Sequence, residues 1–492
     1  MGFRHFVGEV GEQVDKAQIL VASNRGPVSF SVDDDGSLSF RRGGGGLVSG
    51  LSSVAAEIDT LWVCAALSDA DRKAASSAPD GRLDRAGFDL GGARVRMLDI
   101  PEQTFANAYT SVANSTLWFV HHMLYDTPNK PLFDAAFRAE WEDYRAYNAS
   151  FAEALVTGAA EGAKAAVQDY HLALVPRMMR GRRPDLRIAH FSHTPWAPPE
   201  YFGMLPADIG RELLEGMLGA DHVGFLSRRW ADAFLKCCET FLRADVNWDH
   251  RTVDHGGRIV RTGVHGLGAD AEGLRERAEQ EDVAERRATL RELVGGRRLV
   301  LRVDRTELSK NIVRGLAAYR ELLRTRPEWR GRVTHLAFAY PSRGDVPEYR
   351  AYTESVRRIA EEINEEFATP EWTPLILEVN DDYPRSLASY QLADVLVVNP
   401  IRDGMNLVAK EGPVLSHDGC AVVLSTEAGA ADDMGGAAVM VNPYDVSETA
   451  EALHTALSMP DDERRARCER LVEASVALPP QRWFTDQLRA LG

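Results

Sequence analysis

The amino-acid sequence predicts an α/β protein of two Rossmann-like, doubly wound domains facing each other across a cleft. Three observations lead there. The chain has 492 residues, more than a single hydrophobic core usually supports. Short apolar runs alternate with longer stretches of helical period along most of its length, the pattern of repeated strand–helix units and parallel sheets. The series also pauses and restarts: a strongly charged stretch over residues 272–292 reads as a solvated helix between two sets of such units.

In the first set, residues 19–22 form the opening strand, followed by a loop and a helix over 47–58. Further strands are expected at 61–65, 165–168, 187–192 and 222–225, with helices clearest at 138–156 and 211–218. The second set has strands at 298–303, 333–338, 375–379, 395–398 and 421–424, with helices at 312–324 and 349–367. Composition changes little at the seam, so the boundary is set near residue 270: an N-terminal domain over 1–269, a C-terminal domain over 270–478, and a terminal segment over 479–492. In that last segment Trp483, Phe484, Leu488 and Leu491 recur at helical spacing, so the helix should pack back on an apolar surface of the N-terminal domain.

Composition narrows the function. With 57 basic against 73 acidic residues the formal net charge is −16, which argues against general nucleic-acid binding and against adhesion to anionic membranes. The five cysteines, Cys64, Cys237, Cys238, Cys420 and Cys468, show no metal-ligand spacing and fit a reducing cytoplasm. Residues 1–16 lack the apolar core of a signal peptide, and no run of about 18 apolar residues is present to span a bilayer. A soluble cytoplasmic protein is the expectation.

Five segments carry candidate chemistry, each close behind an apolar strand, where the carboxyl ends of parallel strands line the ligand crevice. Ser23-Asn24-Arg25 is followed by Arg41-Arg42-Gly43-Gly44-Gly45-Gly46. Glycines before a helix let backbone N–H groups approach an anion, and Arg25 offers a bidentate fork for phosphate. A solvent arginine beside a flexible loop is the other reading. Asp169-Tyr170-His171 and His193-Thr194-Pro195-Trp196 follow two more strands. His193 is placed to hydrogen-bond a sugar hydroxyl or a leaving group, with a structural histidine as the plain alternative. These histidines and acids have no metal-binding spacing.

The fourth segment, Arg305-Thr306-Glu307-Leu308-Ser309-Lys310, sets two cations five residues apart, a pair suited to a diphosphate. The fifth runs from Arg402 to Glu411. Asp403 can accept hydrogen bonds from sugar hydroxyls, Gly404 turns the chain into a helix, and Glu411 lies about two turns on, in reach of a ribose diol.

Taken together these segments resemble the trehalose-6-phosphate synthase family, in order from about residue 18 to 490. The resemblance implies a glycosyltransferase B-type fold and a retaining, metal-independent enzyme without cofactor, which joins glucose from a nucleotide sugar to glucose 6-phosphate. It implies acceptor contacts from Arg25, Tyr109, Trp118, Asp169 and Arg343. It implies donor contacts from Gly45, Gly46, His193, Arg305, Lys310, Asp403 and Glu411, and from the segment Gly404, Met405, Asn406, Leu407 and Val408. Asp169, His193, Arg305, Lys310 and Asp403 would carry catalysis. The N-terminal domain would then take the acceptor and the C-terminal domain the nucleotide sugar.

Asn311 stands where the family usually has glycine. Relatives with a similar Lys-Asn pair use GDP-activated donors, so GDP-glucose is favoured over UDP-glucose. A pseudo-glycosyltransferase of the validoxylamine 7′-phosphate synthase type and a silent sugar-phosphate sensor are the alternatives; Arg305, Lys310, Asp403 and Glu411 argue against the sensor. Whether the chain forms a homo-oligomer stays open.

Overall fold

The computed structural model describes residues 16–42, 59–88, 90 and 93–492, and its chain divides into two compact units. Unit 1 comprises Met1–Gly266 with Pro480–Gly492, and unit 2 comprises Leu267–Pro479.

Unit 1 contains β1 (Ala17–Ala22), β2 (Val28–Val32), β3 (Leu38–Arg42), β4 (Thr60–Ala65), β5 (Arg94–Leu98), β6 (Ala159–Gln168), β7 (Arg187–Ser192), β8 (His222–Phe225), β9 (Asp245–Asn247), β10 (Thr252–His255) and β11 (Arg258–Val264). All but β2 and β3 join one sheet in the order β5-β4-β1-β6-β7-β8-β11-β10-β9. The run from β5 to β11 is parallel throughout, and β10 and β9 extend it antiparallel. β2 and β3 form a separate hairpin. β4 is buried completely, and β1, β6, β7 and β8 are buried over their carboxyl-terminal residues, as a sheet covered on both faces requires.

The strand order reverses between β1 and β6, which pair in register with Ala22 opposite Val167. This is the switch point at which doubly wound sheets open a crevice beyond the carboxyl ends of their strands. Ser23-Asn24-Arg25 leaves β1 there and Asp169 leaves β6.

The terminal helix Pro480–Arg489 belongs to this unit. Trp483 meets the Phe191 ring edge-on at 5.1 Å between centroids, and Gln487 Oε1 accepts a hydrogen bond from Gln168 Nε2 at 3.3 Å. Its apolar positions are covered, which is what their helical spacing asks for.

Unit 2 contains β12 (Arg298–Arg305), β13 (Val333–Tyr340), β14 (Leu375–Glu378), β15 (Val395–Val398), β16 (Ala421–Ser425) and β17 (Val439–Val441). They form one parallel sheet ordered β14-β13-β12-β15-β16-β17. The reversal falls between β12 and β15, so the chain following Arg305 and the chain following Val398 flank the second switch point.

Some elements depart from the sequence expectation. The charged stretch forms two helices, Ala271–Ala278 and Glu281–Val294, because Leu274, Ala278, Val283 and Leu290 give each its own buried positions. β6 starts at Ala159, earlier than expected, since alanines rather than branched residues fill its first half. The helix expected after Gly404 begins only at Val408. The helix expected over 47–58, with Gly45 and Gly46 before it, lies outside the described residues. All five cysteines are buried as free thiols.

Candidate active site

Unit 2 carries a compact group of charges at its switch point. Three residues before its end, β12 brings in Arg302, fully buried, whose Nη1 pairs with Asp304 Oδ2 at 3.0 Å and also donates to the Lys310 carbonyl at 3.1 Å. A charge in the middle of an apolar strand needs such a partner. Burial, only partly offset by Arg302 and Lys310, lifts the Asp304 carboxyl to about 6. This pair fixes the backbone of the turn that presents Lys310.

The Lys310 ammonium lies 2.6 Å from Asp403 Oδ2, each side chain 16% exposed. Burial works against its charge, but Asp403, Asp304 and Glu307 outweigh that and raise its pKa. Lys310 is therefore a fixed cation at neutral pH. Arg305, at the end of β12, is more than half exposed and reaches Glu307 Oε1 at 3.2 Å. The sequence brings Arg305 and Lys310 forward as a pair and Asp403 from a separate segment; the structure places Lys310 against Asp403 at the two strand ends.

Asp403 sits in a loop held by backbone. Its N–H donates to the Glu427 carbonyl at 3.2 Å, and its own carbonyl accepts from Gly429 N–H at 3.1 Å. A methyl group on Gly429 would lie 1.9 Å from the Gly404 carbonyl oxygen, so these two turns meet with no room for a side chain. Asn406, left-handed at φ 75, donates through Nδ2 to Asp403 Oδ2 at 3.2 Å.

Beyond it, the N–H groups of Met405, Asn406, Leu407 and Val408 find no acceptor among the described residues. They lead into the N-terminus of helix Val408–Leu415, a ready-made anion site. Leu407 and Val408 are half-buried, whereas Met405 and Asn406 are buried. Glu411, half-buried on that helix, is pushed by desolvation to about 7. Lys410 beside it is structural: its Nζ is buried between the Leu267 carbonyl, 2.9 Å away, and Asp433, 2.8 Å away.

Arg343 also belongs to unit 2. It follows β13 in a left-handed turn at φ 44, and its Nη1 donates to the Tyr349 hydroxyl at 2.6 Å. Asn311 adopts the left-handed conformation at φ 58, which glycine takes freely and asparagine tolerates better than most residues. Its buried amide donates to the Asn399 and Pro443 carbonyls at 3.0 and 2.7 Å.

In unit 1 the candidates surround the carboxyl ends of β1, β6 and β7. Ser23 and Asn24 are buried and tied down: Trp62 Nε1 donates to Ser23 Oγ at 2.8 Å, and the Tyr147 hydroxyl donates to Asn24. Arg25 projects from this fixed turn, exposed, with no ion-pair partner among the described residues. Asp169 has φ 73, a costly conformation for a non-glycine residue and one that clusters at functional sites. Its Oδ1 accepts the His193 backbone N–H at 3.1 Å, and its Oδ2 lies 4.0 Å from His171 Nδ1.

The His193 ring stands 3.0 Å from Gln168 Oε1 through Nε2. Because Gln168 uses its own amide nitrogen on Gln487, the His193 proton is held on Nε2 and Nδ1 is left as an acceptor. Burial depresses the ring to about 3, so His193 is neutral. It is no ready source of protons, which narrows the role its sequence position suggested.

Tyr109 lies in a stretch of wide π-type turns, Ala106–Leu117, between the Phe105 ring at 5.1 Å and the His171 ring at 5.6 Å. Trp118, just beyond, stacks on His122 at 3.8 Å and lies 6.0 Å from the Tyr170 ring. An aromatic wall thus runs beside Asp169. Among the described residues no three of His, Cys, Asp and Glu are grouped so as to hold a metal ion, and no helix is long and apolar enough to cross a membrane.

Sequence reasoning missed the supporting residues: Arg302, Asp304, Glu307, Gln168 and Gly429. An arginine inside the run Leu-Val-Leu-Arg-Val-Asp was the available signal for the first two. Nothing local marks the others, since their partners are distant in sequence.

Against known proteins, the model described as glycosyltransferase family 20 matches residues 17–492. A bifunctional trehalose-6-phosphate synthase/phosphatase of Thermoproteus tenax is 31% identical over 96% of the chain, which spans 63% of that protein's length. The alpha,alpha-trehalose-phosphate synthase [UDP-forming] of Schizosaccharomyces pombe is 31% identical over 98% of the chain and 92% of its own length. A solved structure of alpha,alpha-trehalose 6-phosphate synthase from Burkholderia multivorans superposes with a TM-score of 0.85 at 28% identity, covering 97% of this chain and 96% of that one. Two parallel, doubly wound units and this likeness make the fold the glycosyltransferase B type. The chain belongs to glycosyltransferase family 20 and is a glycosyltransferase.

Proposed function

We propose that this enzyme is an alpha,alpha-trehalose-6-phosphate synthase, which transfers glucose from a nucleotide-glucose to glucose 6-phosphate with retention of configuration. The observation that carries the reading is the group at the unit 2 switch point: a half-buried Lys310–Asp403 pair beside four N–H groups without acceptors among the described residues at the head of a helix. A cation and a row of amides suit a leaving diphosphate, and a neighbouring carboxylate suits sugar hydroxyls.

In this reading unit 2 takes the nucleotide sugar. Arg305, Lys310 and the N–H groups from Gly404 to Val408 meet the diphosphate, Asp403 the glucose and Glu411 the ribose. Arg25, Tyr109, Trp118 and Asp169 are the acceptor residues of unit 1, Arg343 is a further acceptor residue, and His193, Gly45 and Gly46 are assigned to the donor. Lys310 and Arg305 neutralise the charge that grows on the departing diphosphate. One of its oxygens takes the proton from the attacking hydroxyl on the same face of the sugar, so no enzyme carboxylate forms a covalent intermediate.

The base is the finer question. The argument for GDP-glucose rested on Asn311, whose amide is engaged on the Asn399 and Pro443 carbonyls and whose left-handed backbone accounts for its standing in a glycine position. The similar Schizosaccharomyces pombe protein is named UDP-forming. GDP-glucose and UDP-glucose therefore enter the assay on equal terms. Incubation with glucose 6-phosphate and each nucleotide-glucose, followed by identification of the sugar product and its anomeric configuration, tests the reading. Absence of an α,α-linked disaccharide phosphate with every donor would overturn it.

A further inference from the structure

Glu307 has no place in the reaction as described, yet it is the most deeply buried carboxylate near the site. Its side chain is fully excluded from solvent. Desolvation alone would keep such a group neutral, but Arg305, Arg343 and Lys310 reverse the effect and hold it ionised, at about 2. Oε1 receives Arg305 at 3.2 Å and the Ser342 hydroxyl at 3.1 Å. Oε2 is buried and has no hydrogen-bond donor among the described residues. A half-satisfied buried carboxylate is costly, and replacing it by an apolar side chain would relieve that cost unless the charge does something.

Its position in the chain points to what. Glu307 lies between Arg305 and Lys310, the two cations after β12. Ser342, its hydrogen-bond donor, precedes Arg343 in the turn after β13. One carboxylate therefore ties the turns beyond two neighbouring parallel strands, and each turn presents an arginine.

We propose that Glu307 is a positioning residue that serves two phosphate sites at once, orienting Arg305 for the donor diphosphate and the Ser342–Arg343 turn for the acceptor phosphate. The inference rests on the function proposed above. Glu307 Oε1 holds one guanidinium nitrogen, Arg305 Nη2, at 3.2 Å, where a phosphate oxygen can replace it. When the diphosphate arrives, Arg305 turns to it from a fixed starting place instead of searching from solvent. The charge on Glu307 also keeps the cations from repelling one another apart.

The test is Glu307→Gln, which keeps the size and the acceptor for Ser342 but removes the charge. Turnover should fall by about 10- to 100-fold, the scale on which misplacing a reacting group costs rate, and KM for glucose 6-phosphate should rise several-fold. Titration calorimetry with UDP and GDP should show diphosphate affinity unchanged or tighter, because the pocket has gained net positive charge. A purely structural role would instead weaken every ligand together.

Glu307→Asp, with the charge retained and the reach shortened, should recover part of the lost turnover at unchanged diphosphate affinity. If Glu307→Gln does not fold, Ser342→Ala takes its place and should raise KM for glucose 6-phosphate while leaving diphosphate affinity intact. Turnover within about threefold of the parent, or diphosphate affinity lost in step with turnover in a folded variant, would refute the inference. The parent enzyme's own product assay separates that outcome from failure of the proposed function.

Discussion

Removing the Lys310 ammonium should strip the site of its most fixed cation. Nζ lies 2.6 Å from Asp403 Oδ2, with both side chains 16% exposed. At an effective dielectric of about 20, unit charges at that separation attract by roughly 6 kcal/mol before desolvation is counted. Most of that offsets the cost of bringing both groups out of water, so the pair adds little net stability to the empty enzyme. Among the described residues, Lys310→Ala leaves the Asp403 carboxylate with Asn406 Nδ2 as its remaining donor, and an expected loss of about 1–3 kcal/mol in stability. The catalytic effect should be larger relative to its source. A preorganised donor aimed at developing charge is worth a factor of about 100 or more in kcat, since water cannot replace it in time with the same geometry. The assay is initial rate of nucleoside diphosphate release, with both substrates saturating, alongside thermal unfolding of the same sample. Turnover within about threefold of the parent, in a folded variant, would show that Lys310 balances Asp403 and nothing more. A double cycle with Asp403→Asn sharpens the reading: if the two act on one transition state, their losses should fall well short of additive.

Other expectations follow from the same geometry. Glu411 titrates at about 7 because burial disfavours its charge. The ionised form, the better acceptor for ribose hydroxyls, grows from roughly a tenth at pH 6 to nine-tenths at pH 8. KM for the nucleotide sugar should therefore fall several-fold over that range, and Glu411→Gln should flatten the dependence; a parallel profile in the variant would exclude Glu411 as its source. Gly429→Ala forces a methyl group to 1.9 Å from the Gly404 oxygen, so it should cost about 1–3 kcal/mol and raise the donor KM by displacing Asp403. An unchanged melting temperature would contradict the close approach. His190 and His335 are held neutral by burial, at about 4 and about 3. The unfolded chain binds protons at these positions below about pH 6.5 and the folded chain does not, so stability falls with pH across the window from about 6.5 to 4, by roughly 1.4 kcal/mol per unit for each group fully in range. Thermal melts across pH 4–7 test this, and a flat profile would refute it.

The two sheets were legible because parallel strands buried on both faces read as plain apolar runs, as with Val-Leu-Val-Val at β15. Residues next to such runs were picked out as candidates because the strand end itself marks the crevice. For that reason Arg25, Asp169, Arg305, Lys310 and Asp403 could be named before any contact was known. What stayed illegible depends on contacts distant in sequence. Glu307 reads as one more charge until Ser342, in the turn after the neighbouring strand, is seen to donate to it. Gln168 reads as the end of a strand until Gln487, over three hundred residues later, fixes its amide. The helix after Gly404 was expected too early because a glycine normally marks a turn. Here Asn406 takes the left-handed position instead, and the helix cannot begin until the chain has left it.

On the proposed function, a protein with formal charge −16 must bind phosphates while keeping its few useful cations from being neutralised at random. Unit 2 meets this by assigning each one a carboxylate: Arg302 has Asp304, Arg305 has Glu307 and Lys310 has Asp403. These pairs differ in exposure, and the difference sorts their roles. Arg302 and Asp304 are sealed away from any ligand, so their pairing is permanent and fixes the backbone carrying Lys310. Lys310 and Asp403 are exposed enough to be reached, and Arg305 is exposed while its partner is not. A phosphate can therefore draw Arg305 outward without exposing Glu307, and an exchange of one anionic partner for another costs far less than desolvating a hydrated arginine afresh. Preorganisation here comes from carboxylates that hold the cations in place and stay behind when the ligand takes over.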